Sequence, residues 1–349
     1  MIEMKKYIIT DLKRALITLL GKHGVDSYQS GILTDCMIEA DMRGVHTHGL
    51  SVLPAYIKKM NNGCFNLNGN NTVIKSTPSF SIIDADGRIG AVSAKECMDM
   101  AISTGIKNGI YTVFCRNANT FGPAFYYTKM AADKKMIGIC LCNTPSAMPV
   151  WGGSKKMLGT NPFSIGIPAN NHSPIIVDMA TSIVAKSKIN EIRKNGGTIP
   201  EGWAVDSDGN PTTDPEAALP GMVLPMAAHK GSAIAMAIDI IAGVLSGAGF
   251  LNNVNRFYSE QNDCMNVGQC FIVIDPSAIY GEDFYNQIDN YITEVHLSGE
   301  NVFYPGEKES ILYAESLEKG VELSKETVEA LSELFLQNNI SGALIEYVG

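Results

Sequence analysis

Apolar positions recur along this 349-residue chain with changing periods, and the change divides it. Near the start Leu12, Leu16, Leu19 and Leu20 fall three and four apart, the spacing of a buried helix face. Ile32, Leu33, Cys36, Met37 and Ala40 repeat the pattern. Gly21 and Gly24 punctuate between them, and the Asn-rich stretch 61–71 reads as a loop. From Ser79 strands and helices alternate. Strands are predicted at 80–84, 111–115 and 137–142, with helices over 94–106 and 123–136 between them, the second opened by a proline. A long apolar helix is predicted over 232–245, a strand at 270–274, and helices over 283–296 and 325–337. The stretch 196–215 is rich in Gly, Asp, Asn, Pro and Thr and reads as a long surface excursion, a lid or a partner-contact loop. This rhythm predicts an α/β protein.

Composition narrows the possibilities. The chain is 45% hydrophobic and 18% charged, enough for a sizeable core in one large domain or two to three smaller ones. No apolar run approaches the roughly 18–20 residues a membrane span needs. The opening residues 1–6 lead into a charged amphipathic segment and not into a signal sequence, so a soluble, cytoplasmic protein is expected. The net charge of −9 argues against non-specific nucleic-acid binding. Among eight cysteines there is no C-x-x-C pair and no zinc-type Cys/His spacing, which predicts reduced structural thiols and no metal site.

The usual phosphate cradles are absent. There is no P-loop and no G-x-G-x-x-G between a strand and a helix. Gly247-Ala248-Gly249 follows a helix and has Asn252 where a third glycine belongs, so any dinucleotide must use another scaffold. Five other runs are candidates. Leu158-Gly159-Thr160-Asn161-Pro162 and Val177-Asp178-Met179-Ala180-Thr181-Ser182 place small, polar residues beside apolar runs, as where backbone approaches a ligand. His46-Thr47-His48-Gly49 offers imidazole, suited to proton transfer near neutral pH. Thr47 either caps a helix whose buried face is Leu50, Leu53 and Tyr56, or bonds the imidazole; the plainer reading is a capped helix with two surface histidines. Lys230-Gly231-Ser232 opens the long apolar helix, either as an anion site or as a solvated lysine beside a cap. Pro305-Gly306-Glu307 reads as a turn.

Taken in order, Arg43-Gly44-Val45, Thr47-His48-Gly49, 117–122, Gly152-Gly153, 158–162, 177–182, Gly202-Trp203, Thr213-Asp214-Pro215, Lys230-Gly231 and 304–307 form a set spanning residues 10 to 340. The set resembles the malate/L-lactate dehydrogenase family that is distinct from the Rossmann-type enzymes of the same names. The resemblance implies an α/β fold with a non-Rossmann nicotinamide-binding domain around a mixed, largely antiparallel sheet. It implies a helical domain from both chain ends, 1–75 with 300–349, and a cofactor-binding domain over 76–299 with an inserted lid-like segment near 185–220. It also implies a homodimer and hydride transfer between NAD (or NADP) and a small 2-hydroxy/2-oxo acid.

Hydride arriving at a carbonyl carbon requires a proton at the oxygen. By the resemblance His48 is the catalytic acid and base, with Thr47 as its hydroxyl partner. Thr160 and Asn161 would line the substrate side. Thr120, Phe121, Gly122, Asp178, Met179, Ala180, Lys230, Gly231, Pro305, Gly306 and Glu307 would meet the cofactor. Two positions depart from the family pattern. Val52 stands where many relatives carry a carboxylate-binding arginine, and Thr120 where several carry a histidine. Arg43, Lys58, Lys59 and Arg116 are the candidates to replace that arginine, and the acidic partner of His48 is unassigned. Two further readings stay open: reduction of a cyclic imino acid, and a dinucleotide-binding relative without turnover.

Overall fold

The computed structural model describes residues 4–258 and 263–347. The chain opens with β1 (Met4–Tyr7), α1 (Ile9–Lys22) and α2 (Ser27–Met42). Leu12, Ala15, Leu16, Leu19 and Leu20 give α1 one buried stripe, and Asp26 caps α2 by accepting the Gln29 N–H at 2.9 Å. Two 3-10 turns, His46–His48 and Leu50–Val52, lead into α3 (Leu53–Asn61). Next come β2 (Thr72–Ser76), β3 (Phe80–Asp84), α4 (Gly90–Asn108), β4 (Ile110–Ala118), α5 (Phe125–Asp133) and β5 (Ile137–Cys142). Short strands β6 (Met148–Pro149) and β7 (Lys156–Leu158) precede β8 (Phe163–Ile167) and β9 (Ile175–Met179).

The middle of the chain holds α6 (Lys186–Lys194), β10 (Ala204–Val205), β11 (Pro211–Thr212), α7 (Pro215–Ala218), β12 (Met222–Val223) and α8 (His229–Ile238). Beyond them lie β13 (Val267–Ile274), α9 (Pro276–Tyr280), α10 (Asp283–Leu297), α11 (Glu307–Lys319), β14 (Val321–Ser324) and α12 (Lys325–Gln337).

Seven strands form the central sheet in the order β2-β3-β4-β13-β5-β8-β9. Only β3 and β4 run parallel, joined across α4; every other pair is antiparallel. The sheet is therefore mixed and largely antiparallel, as the resemblance implies. A second, two-stranded sheet pairs β1 with β14, so both ends of the chain meet beside α2 and α12. One large core runs through the N-terminal helices and the sheet, from Leu12 and Leu33 to Tyr127 and Phe271.

Two expectations need correction. The stretch 196–215 is not an open excursion. It contributes β10 and β11 to a three-stranded sheet with β12, over a separate apolar cluster that includes Leu158, Ile189, Ile199 and Val223. Ile199 and Ala204 bury there despite turn-rich neighbours, and that burial holds the segment down. The long apolar helix runs as α-helix only from His229 to Ile238 and then widens into a π-turn over Asp239–Val244. The buried Asp239 carboxylate anchors this turn, accepting from Asn143 at 3.0 Å and from the Leu251 N–H at 3.1 Å.

Candidate active site

The turn that carries His48 is pinned by an acid seven residues earlier. Asp41, buried at the end of α2, bonds His46 Nδ1 through Oδ1 at 2.8 Å and accepts the Leu50 N–H through Oδ2 at 2.7 Å. Gly49 is required between them: a Cβ there would sit 2.2 Å from the Asp41 carboxylate. Ser51 Oγ closes the turn by donating to the His46 carbonyl at 2.6 Å. Asp41 raises the pKa of His46 above its ordinary 6.5 by stabilising the imidazolium. Thr47 makes no helix cap. Its hydroxyl instead lies 3.0 Å from His48 Nδ1.

His48 stands at the mouth of a cleft of about 180 Å³, smaller than the roughly 300–1,000 Å³ of pockets for drug-sized ligands. Thr47, Thr120, Phe121 and Gly122 line the cleft with it. Gly90, at the head of α4, lets that wall form, because a Cβ there would meet the carbonyls of Asn119 and Thr120 at 2.2 and 2.1 Å. Desolvation by the cleft walls lowers the His48 pKa from 6.5, so its neutral form is favoured. Cys36 and Tyr56, also on the walls, are pushed upward by burial and stay protonated. Val52 lines the same cleft.

The remaining candidate residues fall on a connected strip along the sheet edge. The Asp178 carboxylate accepts the Phe125 N–H at 2.9 Å, which ties β9 to α5 just past Thr120–Gly122. Burial raises that carboxyl to about 7. Met179 is exposed and Ala180 half-buried at the end of β9. The Ile176 N–H donates to the Pro305 carbonyl at 2.9 Å, bringing 305–307 onto the same edge. Gly306 packs against Ile176 there, while the Glu307 carboxylate is taken by the Tyr304 N–H and the His296 ring, at 3.1 and 3.0 Å.

Thr160 accepts from both the N–H and the hydroxyl of Thr181 at 2.8 Å. The Thr181 carbonyl in turn accepts the Met226 N–H, and the Met226 carbonyl the Gly231 N–H. Lys230 is exposed at the head of α8. The N–H groups of Lys230, Gly231 and Ser232 already bond the carbonyls of Ala227, Met226 and Ala228, so the helix N-terminus offers the lysine charge and not a free amide cradle. Asn161 is fully buried. Its amide accepts the Thr144 N–H at 2.9 Å and donates to the Ala235 carbonyl at 2.8 Å, so it braces the 158–162 loop. Among the described residues no hydrogen bond joins His48 to Thr160, Asn161 or Lys230. Thr120–Gly122 are the members of the set that share the cleft wall with it.

Sequence reasoning missed Asp41, the clamp of the catalytic turn. An acid one turn before the Arg43-Gly44 break was the available signal. It also missed Phe257 and Tyr258, which reach the cleft from a loop more than 200 residues away and carry no motif. The four cations expected to replace an arginine at Val52 lie elsewhere. Arg43 pairs with Glu39 at 3.0 Å and stacks on Tyr313 and Phe125, and Arg116 bonds Asp84 at 3.1 Å. Lys58 and Lys59 have partners of their own and are not on the cleft wall.

No group of three or more His, Cys, Asp or Glu among the described residues could hold a metal ion. No described helix is long and apolar enough to cross a membrane. An imidazole with a hydroxyl partner, at a small cleft on a mixed sheet, is an arrangement suited to acid–base chemistry. The malate/L-lactate dehydrogenase family matches residues 8–332, and the chain belongs to that family.

Among relatives it is 37% identical to the malate/(S)-sulfolactate dehydrogenase of Methanothermus fervidus, over 93% of this chain and 96% of that one. Among solved structures it superposes on sulfolactate dehydrogenase from Methanocaldococcus jannaschii with TM-score 0.88, at 34% identity, covering 97% of this chain and 98% of that one. It superposes with TM-score 0.88 on the delta1-piperideine-2-carboxylate reductase of Pseudomonas syringae, at 25% identity, over 95% and 99% of the two chains. Relatives named for NAD(+) and for NADP(+) both occur, a ureidoglycolate dehydrogenase of Escherichia coli and a (2R)-3-sulfolactate dehydrogenase of Chromohalobacter salexigens.

Proposed function

We propose that the chain interconverts a small 2-oxo acid and its 2-hydroxy acid with a nicotinamide dinucleotide, NAD in preference to NADP, and that His48 moves the proton. The observation that carries this reading is the Thr47–His48 pair at 3.0 Å on the cleft. A hydroxyl can accept from the ring, so Thr47 holds His48 through Nδ1–H. With the ring protonated, Nε2–H can give its proton to a carbonyl oxygen and leave the neutral Nδ1–H ring. In the reverse direction that neutral ring keeps Nδ1–H on Thr47, and Nε2 is a free base for the alcohol.

Residues of the strip fit a dinucleotide on three observations. Lys230 presents a cation, Met179 an exposed apolar side chain, and Ser182, in the same run as Asp178, has a buried hydroxyl with no partner. Asp178, Met179, Ala180, Lys230, Gly231 and 305–307 would hold it, with Thr120–Gly122 between it and His48. A bound dihydronicotinamide would supply the hydride. As C2 of the substrate gains that electron pair, the carbonyl π pair moves onto oxygen, which takes the proton from His48.

All eight cysteines are free thiols, as suits the reducing cytoplasm where we place the reaction. The helix α8 and its π-turn support a second copy as partner: every outward residue from 233 to 245 is apolar. A second reading, reduction of the C=N bond of a cyclic imino acid, is favoured by the likeness to the piperideine-carboxylate reductase and by a cleft without a cation.

The test is loss of NADH or NADPH absorbance with a panel of 2-oxo acids and a cyclic imino acid. His48→Ala should cut kcat by roughly 10²–10⁴-fold while cofactor binding persists. An unchanged kcat in that variant removes His48 from the chemistry. Turnover of the imine alone selects the second reading.

A further inference from the structure

The cleft beside His48 has a lining of two kinds. His48, Thr47 and Thr120 supply an imidazole and hydroxyls, and Leu33, Met37, Val52, Phe257 and Tyr258 supply apolar surface. The aromatic part is a packed cluster: Phe257 stands 5.0 Å from the Tyr56 ring and 5.1 Å from Tyr258, and Tyr56 stacks on Phe65 at 5.7 Å. Tyr258 is 74% exposed.

No lysine or arginine among the described residues lines this cleft. Arg256, although next to Phe257 in the chain, is exposed, and its charge acts on Lys156 and Lys186. Burial holds the Cys36 thiol and the Tyr56 hydroxyl protonated, and desolvation lowers the His48 pKa, so the cleft wall carries no fixed charge. The outside charges that reach the wall thiol are acidic, from Glu39 and Asp35.

A substrate with two anionic groups would have to bury one of them against these walls. A carboxylate or sulfonate without a cation or several donors is costly to desolvate, whereas an apolar side chain gains by leaving water. The substrate's one remaining carboxylate has the Thr47 and Thr120 hydroxyls, which line the same cleft.

The geometry points to a 2-oxo acid with an uncharged apolar side chain, of branched aliphatic to aromatic size, as the substrate class, with Val52, Phe257 and Tyr258 as the residues that select it. This rests on the 2-oxo acid reading of His48. It also separates the chain from the relatives whose names carry malate and sulfolactate, both of which have a second anionic group.

The experiment compares kcat/KM for 4-methyl-2-oxopentanoate and phenylpyruvate with that for oxaloacetate and sulfopyruvate, using the full chain with NADH and with NADPH. The apolar pair should lead by roughly 100-fold, the range expected when the poorer substrate leaves a polar group unpaired. Val52→Arg should raise oxaloacetate turnover by about tenfold or more and reverse the order. Tyr258→Ala, at an exposed position, should raise KM for the apolar acids and shrink their lead over oxaloacetate. Calorimetric titration of the NADH-loaded protein with N-isobutyloxamate and with hydroxymalonate reads the same preference without turnover, and the first should bind more tightly.

Preference for oxaloacetate or sulfopyruvate in the unmodified protein overturns the apolar assignment and leaves the dehydrogenase intact. So does a folded Val52→Arg whose ratio does not move. Silence with all four acids, together with no binding of either analogue, overturns the 2-oxo acid reading and this inference with it.

Discussion

Among the described residues His48 Nδ1 has one partner, the Thr47 hydroxyl at 3.0 Å, and no carboxylate behind it. With no acid to stabilise the imidazolium, desolvation decides its pKa and sets it below 6.5. The sign follows for each direction of reaction. Oxidation of the 2-hydroxy acid needs the neutral ring, so its kcat/KM should rise with pH through a value below 6.5 and then level off. Reduction of the oxo acid needs the protonated ring and should fall through the same value. A profile centred at or above 7 in the free enzyme would contradict the geometry. Thr47→Val should lower kcat by about tenfold while Thr47→Ser stays near the unmodified rate, because only a hydroxyl can accept from Nδ1–H and hold the ring. The histidine itself was legible in the sequence, since His-Thr-His-Gly is a compact cluster of proton-transfer groups. Asp41 was not, because its partners are His46 and the Leu50 amide, and only the folded turn brings them to it.

At the scale of one element, the Asp41 clamp gives two expectations. Gly49→Ala places a methyl against the carboxylate and should destabilise the protein by about 1–3 kcal/mol, the usual range for overpacking, with loss of activity. Thermal or urea unfolding checks it. His46 has a raised pKa, so its contribution to stability is complete below pH 6.5 and is lost as pH rises through the folded value. The melting-temperature gap between the unmodified protein and His46→Gln should therefore narrow between pH 6 and pH 8. Helix α8 shows how far pattern reading reaches. Its apolar composition was plain, and the expected helix is there. Which side faces inward was not, since buried positions include Ser232, Asp239 and Ser246, while Ile234, Met236, Ile240, Ile241, Val244 and Leu245 point out. Asn143, arriving from the end of β5, makes the burial of Asp239 tolerable, and no local pattern contains that residue.

For the whole molecule, an outward helix face of this kind must be covered. A second copy is the partner we propose, on an interface that needs about 800 Å² from each chain. Ile240→Asp should convert a dimer into a monomer in sedimentation velocity, with the unmodified protein sedimenting as a single dimeric species. A monomeric unmodified protein would remove that proposal while leaving the His48 chemistry in place.

By itself the sequence determined the kinds of elements, most of their extents and the family resemblance, and it singled out His48 and the polar runs as candidates. These depend on residue type and short-range spacing, through periodic burial, proline and glycine punctuation, and the chemistry of side chains that stand together in the chain. Only the tertiary structure decided what surrounds them. The clamp on the 46–50 turn, the packing of 196–215 into a small sheet, the outward face of α8 and the uncharged lining of the cleft all join residues distant in sequence. Their energies come from desolvation and contact, and those arise only once the sheet has drawn Val52 and Tyr258 onto the walls of one cleft.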